Sequence, residues 1–220
     1  MNIRLGIAAI AAAATVTGAQ AGITTSAFYG WEDGGLALGG YNNDNMSYSN
    51  NANLDYVYDG ARSLQLTEDP SAGTPQTFVA FITGLQDGDT IDASFFAWDD
   101  TEGASPSLRI WGSYATSDDI TNYSGSAGGS SAYSSGTPDA PWSECMHSWT
   151  FDSDGGERDA LVVQIRFYAA GAGDTLWADD LNVDVFSASD NIVINTPMIP
   201  APGALALLGV AGLAGRRRRK

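Results

Sequence analysis

Residues 90–98 have the sequence TIDASFFAW, in which apolar side chains recur at every second position. A strand points successive side chains to opposite faces, so a repeat of two residues predicts a β-strand with one buried face. The face expected to be buried carries Ile91, Ala93, Phe95 and Ala97. The preceding residues 84–89, GLQDGD, have the composition of a turn. This stretch therefore predicts a half-buried strand that begins after a tight turn.

The same alternation recurs further along the chain. Apolar and polar positions alternate in residues 108–113, 161–168 and 181–185, and residues 77–82 form a short apolar run. No window of a dozen or so residues has helical periodicity. About eight strands in one domain pack most economically as two sheets. The sequence therefore predicts an all-β fold, an antiparallel β-sandwich of the jelly-roll type.

Two segments interrupt this alternation. Residues 41–53 are crowded with Asn and Ser, and residues 116–141 are rich in Ser, Gly and Asp. The second segment is too long for an ordinary hairpin loop and has no apolar periodicity. We interpret it as an excursion from the sandwich, either mobile or functional.

The N-terminal residues 1–21 have the three parts of a secretory signal peptide. Arg4 supplies a positive charge, residues 5–17 form an apolar helical core, and Ala19-Gln20-Ala21 is a small-x-small cleavage site. Cleavage before Gly22 is the expected outcome. The sequence therefore predicts export across the inner membrane and a single mature domain over residues 22–195.

The C-terminal residues 196–220 also have three parts: Pro200-Ala201-Pro202, an apolar run over residues 203–215, and a basic end over residues 216–220. As a helix, this 13-residue run spans roughly 20 Å, less than the roughly 30 Å of bilayer hydrocarbon. The run is therefore too short for a good permanent anchor. A basic cluster after an apolar run stays cytoplasmic, which places the preceding domain outside.

This tail resembles the PEP-CTERM sorting tail of Gram-negative bacteria, with Ala201 where that family has Glu. The resemblance implies transient insertion into the inner membrane and processing by an exosortase-type protease. The implied destination is the cell envelope, the outer surface or the extracellular space. The implied sorting residues are Pro200, Pro202, Arg216, Arg217, Arg218 and Arg219. A simple tail anchor is the alternative.

The predicted mature domain is strongly acidic. Residues 22–195 contain four arginines, no lysine and all 26 acidic residues, a formal charge of −22. Such a surface excludes nucleic acid and anionic lipid, because phosphate binding needs Lys and Arg. It favours divalent cations and neutral ligands such as glycans. Adaptation to a saline environment is the alternative explanation of the charge.

The sequence offers little for catalysis. Cys145 is the only cysteine and His147 the only histidine, so a histidine-rich zinc site and an intrachain disulfide are both excluded. There is no Gly-x-Ser-x-Gly motif to carry a serine nucleophile. We therefore predict that the protein is not an enzyme, and that Cys145 is a packed apolar residue.

Four motifs follow one another along the predicted mature domain: YGWEDG at residues 29–34, DGARSLQL at 59–66, LQDGD at 85–89 and LWADDLNV at 176–183. Together they are similar to galactose-binding-like jelly rolls, especially carbohydrate-binding modules of the family 4, 9 and 22 type. The resemblance covers most of residues 25–186. It implies non-catalytic binding of extracellular polysaccharide.

The resemblance also implies a structural calcium ion that joins the first and last strands. Carried over to this chain, its carboxylate ligands are Glu32, Asp59 and Asp179, with Asp180 as the alternative to Asp179. Ca²⁺ takes six to eight oxygen ligands, so these residue types suit it. Asp179 shares parity with Leu181 and is expected to point inward. The alternative is that all these acids are solvated surface residues.

Glycan binding by a sandwich needs exposed aromatic faces and a few polar groups that recognise hydroxyls. The solvent-side positions of the middle strands share this composition: Trp98, Arg109, Trp111, Gln164, Arg166 and Tyr168. We predict these residues as the ligand-binding surface. A register error of one residue would bury the aromatic side chains, and simple packing is the alternative role.

The sequence therefore predicts an exported, calcium-stabilised jelly-roll protein that binds extracellular polysaccharide. The alternative is a structural protein of the surface or biofilm matrix, without a discrete ligand site.

Overall fold

The computed structural model describes residues 22–101 and 105–199, whose regular elements are almost all β-strands. A single 3-10 turn, Leu54–Tyr56, is the only helical element of this part of the chain. The strands are β1 (Ile23–Tyr29), β2 (Gly39–Tyr41), β3 (Met46–Asn51), β4 (Ser63–Glu68), β5 (Gln76–Thr83), β6 (Thr90–Trp98), β7 (Ser107–Ala115), β8 (Ser126–Gly129), β9 (Trp142–Thr150), β10 (Ala160–Tyr168), β11 (Asp174–Ser187) and β12 (Val193–Asn195).

The strands form two antiparallel sheets. The first sheet has the order β3-β4-β11-β6-β9, and β1 pairs with the second half of β11. The second sheet has the order β12-β5-β10-β7-β8, and β2 pairs with β5. From β4 to β7, and again from β9 to β12, successive strands alternate between the two sheets. The predicted antiparallel β-sandwich is therefore confirmed.

The core lies between the sheets and is built from the alternating positions seen in the sequence. Of the predicted inward positions of β6, Ile91, Phe95 and Ala97 are fully buried and Ala93 is nearly so. The inward side chains of β10 are also fully buried: Leu161, Val163, Ile165 and Phe167. Full burial of one large apolar side chain stabilises a fold by about 1.5–3 kcal/mol. These strands therefore hold the two sheets together.

The excursion over residues 116–141 is folded against the second sheet. It contains β8, which pairs with β7, and a turn in which Asp119 accepts hydrogen bonds from the backbone and hydroxyl of Thr121 at 2.8 and 2.6 Å. Ile120 packs on a small apolar cluster on the outer face of this sheet, which includes Phe78 and Val162. The excursion therefore covers part of the outer face and leaves a concave surface beside it.

The predicted terminal segments lie outside the described residues. These are the signal peptide with Ala19 and Ala21, and the part of the tail that holds Pro200, Pro202 and the terminal arginines, so both flanking helices stay predictions. In the part of the chain that the structure describes, no helix is long and apolar enough to cross a membrane.

Candidate functional site

A concave surface of about 330 Å³ lies on the outer face of the second sheet, and we call it the cleft. Its floor comes from β5, β7 and β10, one wall from β2, and the opposite wall from the excursion. The lining residues combine aromatic, amide and hydroxyl side chains with one guanidinium: Gly40, Tyr41, Gln76, Phe78, Ser113, Ile120, Thr121, Tyr123, Gln164 and Arg166. No acidic residue belongs to this lining.

Strand register places the floor residues in two neighbouring rows. In one row, Gln164 of β10 pairs with Phe78 of β5 on one side and Trp111 of β7 on the other. In the next row, Arg166 pairs with Gln76 and Arg109 in the same way. Residues two positions apart on a strand share a face, so both rows present their side chains on the outer surface. The sequence alternation of β10 thus builds the floor of the cleft.

Two arginines pack on one tryptophan beside the floor. The guanidinium carbon of Arg166 lies 4.1 Å from the ring centroid of Trp111, and that of Arg109 lies 4.9 Å from it. Arg109 also lies 5.0 Å from the ring of Tyr133, which contacts Tyr168 edge to face at 5.0 Å. Cation–π contacts hold the guanidinium groups in fixed positions. The predicted residues Arg109, Trp111, Arg166 and Tyr168 therefore form one connected group with Tyr133.

Two polar atoms on the floor have no hydrogen-bond partner. Gln164 is 1% exposed, and its amide nitrogen donates to the Ser113 hydroxyl at 2.8 Å. Its carbonyl oxygen, and the Nε of Arg166, are buried without a partner. Each unsatisfied buried polar atom costs about 1–3 kcal/mol, so these two groups lower the stability of the fold. Because both atoms are shielded from solvent, a ligand meets them only after a small shift of the side chains.

The structure adds two aromatic residues that the sequence analysis did not identify. Tyr41 is 66% exposed at the end of β2, and Tyr123 is 67% exposed in the excursion. Both line the cleft, from different walls. Tyr41 lies in the Asn- and Ser-rich segment 41–53, and Tyr123 lies in the Ser-, Gly- and Asp-rich segment 116–141. The interruption of the strand pattern in these two segments is the one sequence signal that points to them.

Five of the six predicted ligand-binding residues lie on the second sheet: Arg109, Trp111, Gln164, Arg166 and Tyr168. Trp98 ends β6 in the first sheet and is therefore separated from the other five. Its ring packs edge to face on Tyr56 and Trp177, each with centroids 4.9 Å away, and those two rings stack at 3.8 Å. Trp98 therefore belongs to an aromatic cluster beneath the 3-10 turn.

The predicted metal ligands surround the loop over residues 57–62. One carboxylate oxygen of Glu32 accepts hydrogen bonds from the backbone N–H groups of Ala61 and Arg62 at 2.9 and 3.0 Å. Asp179 accepts from the backbone N–H groups of Tyr58 and Asp59 at 2.9 and 3.4 Å. These two acids therefore hold the loop in place from the first and the last parts of the fold.

Asp179 and Asp180 differ in environment because the strand bulges between them and Asn182. Asp179 is fully buried, and this burial raises the pKa of its carboxyl to about 7 despite the hydrogen bonds it accepts. Asp180 has a left-handed backbone with φ of 49°. Burial, and then the charges of Asp59 and Glu32, raise the pKa of Asp180. Asp180, the alternative ligand, therefore interacts electrostatically with both Asp59 and Glu32.

The arrangement of these acids is not a preformed cage of three carboxylates. Among residues 22–101 and 105–199, no group of three or more His, Cys, Asp or Glu side chains is arranged to hold a metal ion. The mutual repulsion of Asp180, Asp59 and Glu32 is relieved by any cation that binds between them. Calcium binding here therefore stays a prediction.

Cys145 is buried at 4% exposure, with its thiol directed at the carbonyl oxygen of Leu108 at 3.9 Å. Burial, followed by the charges of Asp99 and Glu144, raises the pKa of this thiol to about 12. A thiolate is the reactive form of cysteine, so this residue is unsuited to nucleophilic chemistry.

No protein-family model and no curated protein matches the sequence. Solved structures that are similar to this chain include carbohydrate-binding modules. The CBM22-1 xylan-binding domain of Xyn10C from Paenibacillus barcinonensis has 17% identity and a TM-score of 0.49, covering 78% of this chain and 99% of its own. CBM27-1 from Caldicellulosiruptor saccharolyticus, solved in complex with mannohexaose, has 13% identity and a TM-score of 0.40, covering 72% and 96%. At these identities the resemblance concerns the β-sandwich fold.

Proposed function

We propose that this protein is a non-catalytic polysaccharide-binding protein and that the cleft is its binding site. The observation that carries the proposal is the composition of the cleft: exposed aromatic side chains on its walls and partly unsatisfied polar groups on its floor. A concave surface of this kind is the usual form of a site for a small ligand or a segment of a polymer.

A sugar ring fits these groups chemically. Its C–H faces are apolar and pack on aromatic rings such as those of Tyr41 and Tyr123. Its rim carries hydroxyl groups that donate and accept hydrogen bonds. The Gln164 carbonyl oxygen lacks a donor, and the Arg166 Nε lacks an acceptor. Once these side chains shift to expose the two atoms, one hydroxyl-rich ligand supplies both missing partners.

The proposal extends to where the protein acts. Residues 1–21 and 196–220 have the composition of a signal peptide and a PEP-CTERM-like sorting tail. We propose that they direct the domain across the inner membrane to an exosortase-type protease, and so to the envelope or the extracellular space. Polysaccharide is present in those places, and a strongly acidic domain suits a soluble role there.

The test is retardation of the purified protein in native gels that contain soluble polysaccharides. We expect the wild-type protein to be retarded by at least one polymer, and Tyr41→Ala and Tyr123→Ala to lose most of this retardation. Phe28→Ala is the matched control, because Phe28 is 58% exposed on β1 of the other sheet and does not line the cleft. Equal retardation of all four proteins contradicts the assignment of the cleft.

The second candidate is a structural protein of the surface or biofilm matrix. The acidic and hydroxyl-rich surface is compatible with it, and it requires no cleft. Absence of retardation on every polysaccharide, with a folded protein, favours this candidate over the binding protein.

A further inference from the structure

The cleft differs in charge from the domain around it. Residues 22–195 contain 26 acidic residues and four arginines, yet no acidic residue lines the cleft. Arg166 lies on its floor, and Arg109 is the register partner of Arg166 on the neighbouring strand. Half of the arginines of the domain therefore lie at one site. The overall charge favours neutral ligands, whereas the local charge is positive.

Among the described residues Arg166 has no carboxylate partner, although the domain contains 26 acidic residues. In the described part of the chain, the only ion pair joins Arg158 to Asp152, with Nη2 and Oδ2 3.3 Å apart. The charged and polar groups that act on Arg166 are Tyr168, Arg109 and Tyr123, and no carboxylate is among them. Burial, and to a smaller extent the charge of Arg109, lower the pKa of Arg166.

The two guanidinium groups are held close together without a counter-charge. Both pack on Trp111, at 4.1 and 4.9 Å from its ring centroid. The charge of Arg109 acts on Arg166 and lowers its pKa, and burial strengthens this repulsion between like charges. Arg109 is tied to the excursion, since its Nε donates to the Ser130 carbonyl oxygen. An anion bound beside the Arg166 guanidinium offsets the repulsion, and after a shift of the side chain it supplies the partner that the buried Nε lacks.

We infer that the cleft recognises a sugar residue that carries a carboxylate, and therefore that the ligand is an acidic polysaccharide containing uronate. This inference rests on the proposed polysaccharide-binding function and specifies its ligand class. A guanidinium presents its N–H groups in a planar fork that matches the two oxygens of a carboxylate. Arg166 binds the carboxylate, while Gln164, Tyr41 and Tyr123 contact the hydroxyls and faces of the ring.

The test compares polymers that differ only in charge. Polygalacturonate and its fully methyl-esterified form share one backbone, so the ester removes the carboxylate and little else. We expect the full-length protein to bind the acid about 10-fold more tightly than the ester, because hydrogen bonds between charged groups are stronger than neutral ones. A net charge of −22 for residues 22–195 repels polyanions, so non-specific attraction cannot imitate the result.

Variants identify the residue responsible. Arg166→Gln should abolish the preference for the acid, whereas Arg166→Lys should retain part of it because the charge remains. Arg62→Gln is the matched control, since Arg62 precedes β4 of the other sheet and does not line the cleft. Circular dichroism establishes that each variant is folded. If Arg166→Gln still binds the acid more tightly than the ester, the inference is overturned.

The remaining outcomes separate this inference from the proposed function. Equal binding of acid and ester, or binding of neutral glycans alone, overturns the inference that the cleft recognises a carboxylate. Either result leaves the proposed polysaccharide binding intact. Binding of dextran sulfate but not polygalacturonate replaces the carboxylate by a sulfate ester and overturns the inference as stated. Failure to bind any neutral or acidic polymer contradicts both.

Discussion

The side-chain carbonyl oxygen of Gln164 is buried without a donor, and we therefore predict that Gln164 lowers the stability of the fold. Replacing Gln164 by Leu and its partner Ser113 by Ala removes a buried acceptor that lacks a donor, together with the 2.8 Å hydrogen bond between the two side chains. The unsatisfied acceptor costs about 1–3 kcal/mol, and a typical hydrogen bond contributes about 1 kcal/mol. The double variant should therefore be more stable than the wild type by up to about 2 kcal/mol. It should also lose polysaccharide binding.

The assay is urea unfolding of the wild type and the double variant, with thermal melting as a second readout. A gain of 1 kcal/mol raises the midpoint of a domain of this size by about 2–4 °C. Gln65→Leu with Ser49→Ala is the matched control, because that pair forms a hydrogen bond at 3.2 Å on an exposed surface with its acceptor satisfied. The control should gain nothing. A loss of more than about 1 kcal/mol in the Gln164 variant refutes the view that this amide is retained for binding.

Three further predictions follow from other sites. Calcium should raise the melting midpoint of the wild type by mass action but not that of Asp180→Asn, and identical midpoints at several calcium concentrations contradict the metal site. In chelator, raising the pH from about 4 to 7 should destabilise the fold, because the pKa of Asp179 is raised by burial to about 7 from 3.8 and the folded state favours its protonated form. Asp179→Asn should remove on the order of 2–4 kcal/mol of this loss of stability between about pH 4 and 7, allowing for solvent screening. An unchanged pH dependence of urea unfolding argues against the burial. The buried thiol of Cys145, with a pKa of about 12, should not react with Ellman's reagent at about pH 8 until denaturant is added, and rapid reaction of the native protein is the contrary result.

The strand pattern of the sequence predicted the sandwich because burial on one face imposes a period of two. The inward positions of β6 and β10 follow this rule, and Phe95 and Ile165 are fully buried. Alternation alone does not say which sheet a strand joins, since pairing depends on residues distant in sequence. Trp98 has the parity of a solvent-side residue, yet it lies on the sheet opposite Trp111.

The remainder of the candidate site was beyond sequence patterns for local reasons. Tyr41 and Tyr123 lie in segments without periodicity, so no rule predicts which way they point. At the bulge of β11, Asp180 adopts a left-handed backbone, and parity counted along the strand does not carry across it. Asp179 does point inward as predicted, and in this fold it accepts backbone N–H groups of the loop at residues 58–59.

The most direct test of polysaccharide binding at the cleft is a ¹H–¹⁵N NMR titration of the protein with an oligosaccharide of a polymer that retards it. The account predicts that the shifts cluster on the second sheet, at the side-chain amide of Gln164 and the indole N–H of Trp111. The indole N–H of Trp98 and Trp177, in the aromatic cluster of the first sheet, should not move. Shifts centred on Trp98 and Trp177, with Gln164 and Trp111 unchanged, contradict it.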